Sequence, residues 1–329
     1  MGKFLKENWY KILIAVFVFA IIGSVLYFSL PKTPKITNKS DETISGELTN
    51  EEINEISKSI VQLECFYDDN NDGYWEDEVY GSGIYISKNS IYGDDSKEEV
   101  FNYLNGYVLS NAHVAQLKRI SAEGWNFNMC SIWFNENYEK NGTYLGFFSY
   151  DEKTHFLNND IDAVLLKYAE KIHGKKVEEK PSIPDNILQS LLLKNYPVCS
   201  SEKIIGTKIY VFGYPSSAYE WETSEQRRER YVEHGWDTSI LDKLGDYVSV
   251  TERNLIIFDG IISGKDSNGD FYTTAKIDAG VSGGLAVAKI NGEICIVGIP
   301  TWLSGGTYEN MGIIQSFEKI RRALTTPPL

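Results

Sequence analysis

Twelve short apolar runs, each about five to ten residues long, recur along this chain in two sets of six. The first set falls at about 60–68, 81–87, 106–114, 126–134, 143–151 and 160–168. The second falls at about 207–214, 254–263, 270–277, 285–290, 294–299 and 311–315. Runs of this length, bounded by polar turns, read as strands rather than core helices. A set of six strands removes its exposed edges by closing on itself. The pattern therefore predicts an all-β fold of two six-stranded barrels, over about 58–170 and about 205–316. Asn268-Gly269 and Asn291-Gly292 supply tight hairpin turns in the second set. Hydrophobic content of 42%, with 21 tyrosines and 15 phenylalanines, suits a sizeable β-rich core.

Helices are few and placed at the margins. Thr49-Asn50-Glu51-Glu52 is a capping-box start for a helix carrying Ile53, Ile56 and Ile60. The connection at about 170–204 contains Pro181, Pro184 and a short apolar helix at about 187–193. Ser316 caps a closing helix at 317–324, whose Lys319, Arg321 and Arg322 suit its C-terminal dipole.

Residues 12–30 are uncharged and overwhelmingly apolar after a short tail at 1–11. As a helix rising 1.5 Å per residue this stretch reaches roughly 28 Å, the thickness of a bilayer core. A signal peptide would have a shorter apolar region ending in small-x-small. Val25-Leu26-Tyr27-Phe28-Ser29 offers no such site, so an uncleaved single-pass signal anchor is expected. Trp9, Tyr10 and Tyr27 suit interfacial positions. Residues 31–48 form a polar linker too poor in apolar residues to fold. The folded domain is expected over 49–329 on the extracytoplasmic side. A net charge of −14 with no basic stripe speaks against a nucleic-acid partner.

One loop carries chemistry. Asp278-Ala279-Gly280-Val281-Ser282-Gly283-Gly284 holds a serine among glycines, between strand-like runs. A serine hydroxyl is a weak nucleophile until a base takes its proton and backbone N–H groups face the oxyanion it creates. Glycines let the chain turn tightly and let a carbonyl approach the amides of Gly280 and Ser282. Upstream, Gly81-Ser82-Gly83 opens one strand, and Leu109-Ser110-Asn111-Ala112-His113 ends another in a histidine. Asp160-Ile161-Asp162-Ala163-Val164-Leu165-Leu166-Lys167 puts two carboxylates at the mouth of a third.

These motifs, in the order His, Asp, Ser, resemble the trypsin-like serine peptidases of the chymotrypsin fold, and within them the HtrA-type branch. The resemblance covers about 53–324. It implies a serine endopeptidase acting on unfolded or surface polypeptides, with Ser282 as nucleophile and His113 as general base and then acid. Asp162 would orient the imidazole. Asp160 is the rival, two residues earlier on the same strand face, but the family's spacing to the strand lysine fits Asp162 with Lys167. The Gly280 and Ser282 amides would form the oxyanion hole. The primary pocket would be walled by residues at about 276–280, Lys276 among them, and by the strand at Gly298, Ile299, Pro300 and Thr301. No cofactor or metal is called for. No PDZ-like module is expected after the domain, and the resemblance leaves both a monomer and a homo-oligomer open.

The chain departs from the family's pattern at Val281, where such enzymes carry asparagine or aspartate. Without that aspartate, and without an Ile-Val-Gly-Gly segment, no trypsin-style zymogen step is expected. Val281 and a long insertion at about 217–250, a lid or a plain surface loop, motivate the other reading, a catalytically degenerate peptide-binding relative. Asp68-Asp69-Asn70-Asn71-Asp72-Gly73 begins like a calcium loop but lacks the closing glutamate, so a polar hairpin turn is expected. Cys65, Cys130, Cys199 and Cys295 allow two disulfides in three connectivities. Three of them lie in apolar strands, and mostly reduced, buried thiols are expected.

Overall fold

A computed structural model describes residues 45–67, 77–87, 90–91, 106–115, 128–134, 143–157, 161–168, 171–172, 175–176, 185–216, 219–233, 249–301 and 311–325. Residues 45–48, expected in the polar linker, already lie on the second half of the molecule, with the Gly46 N–H donating to Lys289 C=O at 2.9 Å, and the expected capping box follows. Thr49 Oγ1 accepts from the Glu52 N–H at 3.2 Å and Glu52 Oε2 accepts from the Thr49 N–H at 2.7 Å, which starts helix α1 (Asn50–Ser57). Six strands follow: β1 (Ile60–Tyr67), β2 (Asp77–Ser87), β3 (Gly106–Ser110), β4 (Asn128–Phe134), β5 (Thr143–Leu157) and β6 (Asp162–Tyr168). They close an antiparallel barrel in the order β1-β2-β3-β6-β5-β4. Val61, Leu63 and Cys65 alternate along β1 into its interior, where they meet Val108, Ile132, Phe148, Val164 and Leu166.

The connection carries a small hairpin, β7 (Lys171–Ile172) and β8 (Lys175–Lys176), then helix α2 (Asp185–Leu191). Strand β9 (Lys208–Gly213) opens the second half. The insertion folds as a separate two-stranded sheet of β10 (Tyr219–Glu222) and β11 (Ser249–Arg253), with helix α3 (Ser224–Glu233) between them. Strands β12 (Ile256–Lys265), β13 (Phe271–Thr273), β14 (Leu285–Ile290), β15 (Glu293–Thr301) and β16 (Gly312–Ser316) complete a second closed barrel, ordered β12-β13-β16-β15-β14-β9. Helix α4 (Phe317–Thr325) ends it, buried through Phe317 and Ile320. The molecule is thus mostly β, with the strands close to the positions their apolar runs suggest.

Three apolar clusters divide the labour. One fills each barrel, and the third joins them. In the third, Ile84, Ile86, Leu109 and Leu165 from the outside of the first barrel meet Phe212, Tyr214, Leu285 and Ile299 of the second, together with Phe317 and Ile320 of α4.

The cysteine expectation is corrected. All four are oxidised, as Cys65–Cys130 and Cys199–Cys295. Cys65 and Cys130 stand directly opposite each other on β1 and β4, with Cα atoms 4.0 Å apart, and the second pair is 5.0 Å apart. Strand register brings Cys65 to Cys130, and a bridge between Val198 and Ile296 brings Cys199 to Cys295; neither is visible in cysteine spacing. No helix among the described residues is long and apolar enough to cross a membrane. The expected anchor at 12–30, the acidic turn at 68–73 and Asp160 lie outside the described residues.

Candidate active site

Strand ends build the first part of the site. β3 stops at Ser110, and the chain turns through 111–114, closed by a Val114 N–H to Asn111 C=O bond of 3.2 Å, so that His113 projects from the barrel rim. Asp162 is the first residue of the neighbouring strand β6, which pairs with β3 through Ser110 and Val164. That register brings the two side chains together. His113 Nδ1 lies 2.5 Å from Asp162 Oδ2, and the His113 backbone N–H donates to Oδ1 at 2.9 Å. Thr301 Oγ1, from the second barrel, donates to Oδ2 at 3.1 Å. The aspartate side chain is 19% exposed and the histidine 32%, so the carboxylate is inside and the imidazole faces outward.

Burial by itself pushes the Asp162 carboxyl up. The His113 side-chain hydrogen bond and charge, the His113 N–H and the Thr301 hydroxyl together outweigh it, and hold it below its ordinary value. Asp162 is therefore ionised at neutral pH. An ionised carboxylate can only accept, so the Nδ1 contact is an Nδ1–H donation, and in the neutral imidazole Nε2 is then the ring nitrogen with a lone pair.

The serine loop comes from the second barrel and is made of two consecutive turns. The Val281 N–H returns to Asp278 C=O at 3.1 Å, and the Gly284 N–H returns to Val281 C=O at 3.0 Å. Each turn has a glycine third, Gly280 with φ +86° and Gly283 with φ +85°, as a type II turn requires. Ser282 is second in the latter turn and only 3% exposed. Peptide planes decide where the loop's donors face. Ala279 C=O accepts from the Ser216 N–H at 2.7 Å and Val281 C=O accepts from Gly284, so the N–H groups of Gly280 and Ser282, anti across those trans peptides, point the other way. Neither N–H closes either turn.

Ser82, from β2 of the first barrel, fastens the loop across the seam. Its N–H donates to Ser282 C=O at 2.9 Å, and its Oγ donates to Gly280 C=O at 2.7 Å while accepting from the Tyr214 N–H at 2.8 Å. Its own C=O accepts from Ser110 Oγ at 2.7 Å, three residues before His113. The loop packs so tightly here that a Cβ on Gly283 would stand 2.1 Å from Ser110 Oγ and 3.0 Å from the Asn111 nitrogen. The serine loop thus lies against the segment that carries His113. Val281 is fully buried in the second barrel's core with Ile209, Val211 and Val297.

The expected pocket residues have different settings. Lys276 is 68% exposed and pairs with Asp278 at 3.3 Å. Ile299 is buried in the cluster between the barrels, and Pro300 C=O accepts from the Gly283 N–H at 3.0 Å. A Cβ on Gly298 would fall 1.8 Å from Gln315 O, so its place is set by strand contact. Three contributors carried no role in the sequence, Ser82, Asn111 and Gln315, and Thr301 was expected only in the pocket wall. The motif Gly-Ser-Gly marks Ser82. Nothing local marks Gln315.

No protein-family model and no curated protein matches the chain. Among solved structures it is similar to a serine endoprotease from Yersinia pestis, with TM-score 0.40 and 18% identity, covering 85% of this chain and 68% of that one. So distant a likeness carries no function by itself.

Proposed function

We propose that this chain is a membrane-anchored serine endopeptidase of the chymotrypsin fold, hydrolysing peptide bonds of unfolded or surface polypeptides. The observation that carries the reading is the buried Asp162 carboxylate bonded to His113, with the glycine-turned Ser282 loop laid against the same segment. In this reading Ser282 Oγ attacks the peptide carbonyl carbon while His113 Nε2 takes its proton. The carbonyl oxygen becomes an oxyanion received by the Gly280 and Ser282 N–H groups. The imidazolium, stabilised by Asp162, then gives the proton to the leaving amine as the C–N bond breaks. Water repeats the sequence on the acyl-enzyme and frees Ser282.

Two further observations support it. Val281 is spent on core packing, so its departure from the family's pattern costs the reaction no group. Both cysteine pairs are oxidised, which suits a domain held outside the cytoplasm by an anchor at 12–30. A fluorophosphonate probe tests the reading on the full chain. Covalent labelling that disappears in Ser282→Ala and in His113→Ala is expected. A folded wild-type protein that takes no label would overturn it in favour of a peptide-binding module.

A further inference from the structure

The Asp162 carboxylate is fixed by His113 and Thr301, but its backbone is fixed by something else. Asp162 starts β6, opposite Leu157 at the end of the β5–β6 pairing. Its N–H donates to Oε1 of Gln315 at 3.2 Å, across to β16 of the second barrel. Its C=O accepts from Asn111 Nδ2 at 2.7 Å, within the first barrel. The residue that aims His113 is suspended between two side-chain amides, one from each barrel.

Gln315 is well placed to act as a fixed point. It is 4% exposed. On the β15–β16 pair it stands opposite Ile299, and Thr301 is the diagonal neighbour on the same face. That face therefore reaches Asp162 twice, once at the carboxylate and once at the peptide. The backbone at 315 is held from both sides. Its carbonyl approaches Gly298 closely, and the next N–H, of Ser316, donates to Asp270 Oδ1 at 3.0 Å. Asp270 in turn pairs with Lys319 of α4 at 2.9 Å.

Resting on the peptidase reading above, we propose that Gln315 is a positioning residue for hydrolysis. By holding the Asp162 peptide it makes the aim of His113 depend on the second barrel being docked. A packing role alone would have Gln315 merely satisfy a seam N–H, and would cost stability without touching turnover.

The two roles separate in kinetics. Full-chain wild type and Gln315→Met are compared for fluorophosphonate labelling rate, for kcat and KM on dye-labelled casein, and for melting temperature. Methionine keeps the volume and removes the acceptor. Labelling and kcat lowered about tenfold, with KM unchanged, are expected in a protein that still melts cooperatively. Should Gln315→Met fail to fold, Gln315→Asn carries the same expectation, because its amide stays polar but stops short of Asp162. A folded variant with wild-type kcat, whatever its melting temperature, overturns the role of Gln315 alone. Failure of the wild type itself to label overturns the peptidase reading instead.

Discussion

At Asp162 two opposed effects meet, and the winner sets how the site responds to acid. Burial raises the carboxyl, whereas the His113 and Thr301 contacts lower it further than burial raises it, so the folded value lies below the ordinary one. A group depressed on folding contributes stability that is complete above its unfolded value, about 3.9, and is lost as pH falls through the folded value. The stability that Asp162 gains from its ionised form should therefore be present in full above about pH 5 and be lost below about pH 4, where the melting temperatures of wild type and Asp162→Asn converge. A gap that persists undiminished below about pH 3 would sink the assignment of Asp162 as the ionised partner. At neutral pH the same variant should lose about a thousandfold to ten-thousandfold in kcat, measured on labelled casein, since an amide cannot hold the imidazole in the tautomer that leaves Nε2 basic. His113, Asp162 and Ser282 were legible as candidates because residue type and local context coincide: a histidine ending an apolar strand, a carboxylate opening one, a serine among glycines. Gln315 was not legible. It looks like any polar residue closing a strand, and its bond to Asp162 spans 153 positions and depends on how two barrels meet.

At the scale of elements, the serine loop owes its shape to contacts from outside itself. Ser82 Oγ serves a donor and an acceptor at once, both of them backbone groups at the seam between the barrels. Ser82→Ala strands the Tyr214 N–H and the Gly280 C=O, at a cost of about 1–3 kcal/mol, and should lower both melting temperature and labelling rate. Calorimetry and probe labelling of the same preparation check this, and an unchanged labelling rate would remove Ser82 from the support of the loop. Gly283→Ala is expected to be harsher. Its φ of +85° disfavours any side chain, and its new methyl would meet Ser110 Oγ at 2.1 Å and Ser82 O at 2.3 Å. Labelling should fall more than a hundredfold, because no low-energy turn of the loop admits that carbon. The elements themselves were largely readable, since alternation along β1 reports which face is buried, and the unbroken apolar run at 163–166 of β6 reports a strand covered on both faces. β5, which runs on to Leu157 past its expected end at about 151, was one exception, and β13 was another. Its apolar run extends to Ile277, but pairing stops at Thr273, where the chain leaves the barrel for the turns that carry Ser282. Apolarity there serves the barrel core through Ala275 and not a ladder.

For the whole molecule, the two kinds of constraint act at different places. Cys65–Cys130 lies in the first barrel's cluster and Cys199–Cys295 in the second's, so neither crosslink spans the seam. The seam is held by the third cluster, with Phe212 fully buried in it, and by the polar bonds from Ser82, Gln315 and Thr301. Removing either crosslink should therefore weaken one barrel while leaving the joint intact. Cys65→Ala/Cys130→Ala and Cys199→Ala/Cys295→Ala are each expected to cost about 2–4 kcal/mol, through the loops of 65 and 96 residues that they close in the unfolded chain. The two costs should add, since the pairs share no cluster. Melting should still be a single transition, because the shared apolar cluster couples the barrels. Phe212→Ala attacks the coupling instead. It should cost about 3–5 kcal/mol and reduce probe labelling out of proportion to the crosslink variants, since His113 and Ser282 come from different barrels. Calorimetry on the four proteins, with labelling at a temperature where all remain folded, decides the matter. Two resolved transitions in the crosslink variants, or a Phe212→Ala protein that labels like wild type, would mean that the barrels fold and meet independently of the seam.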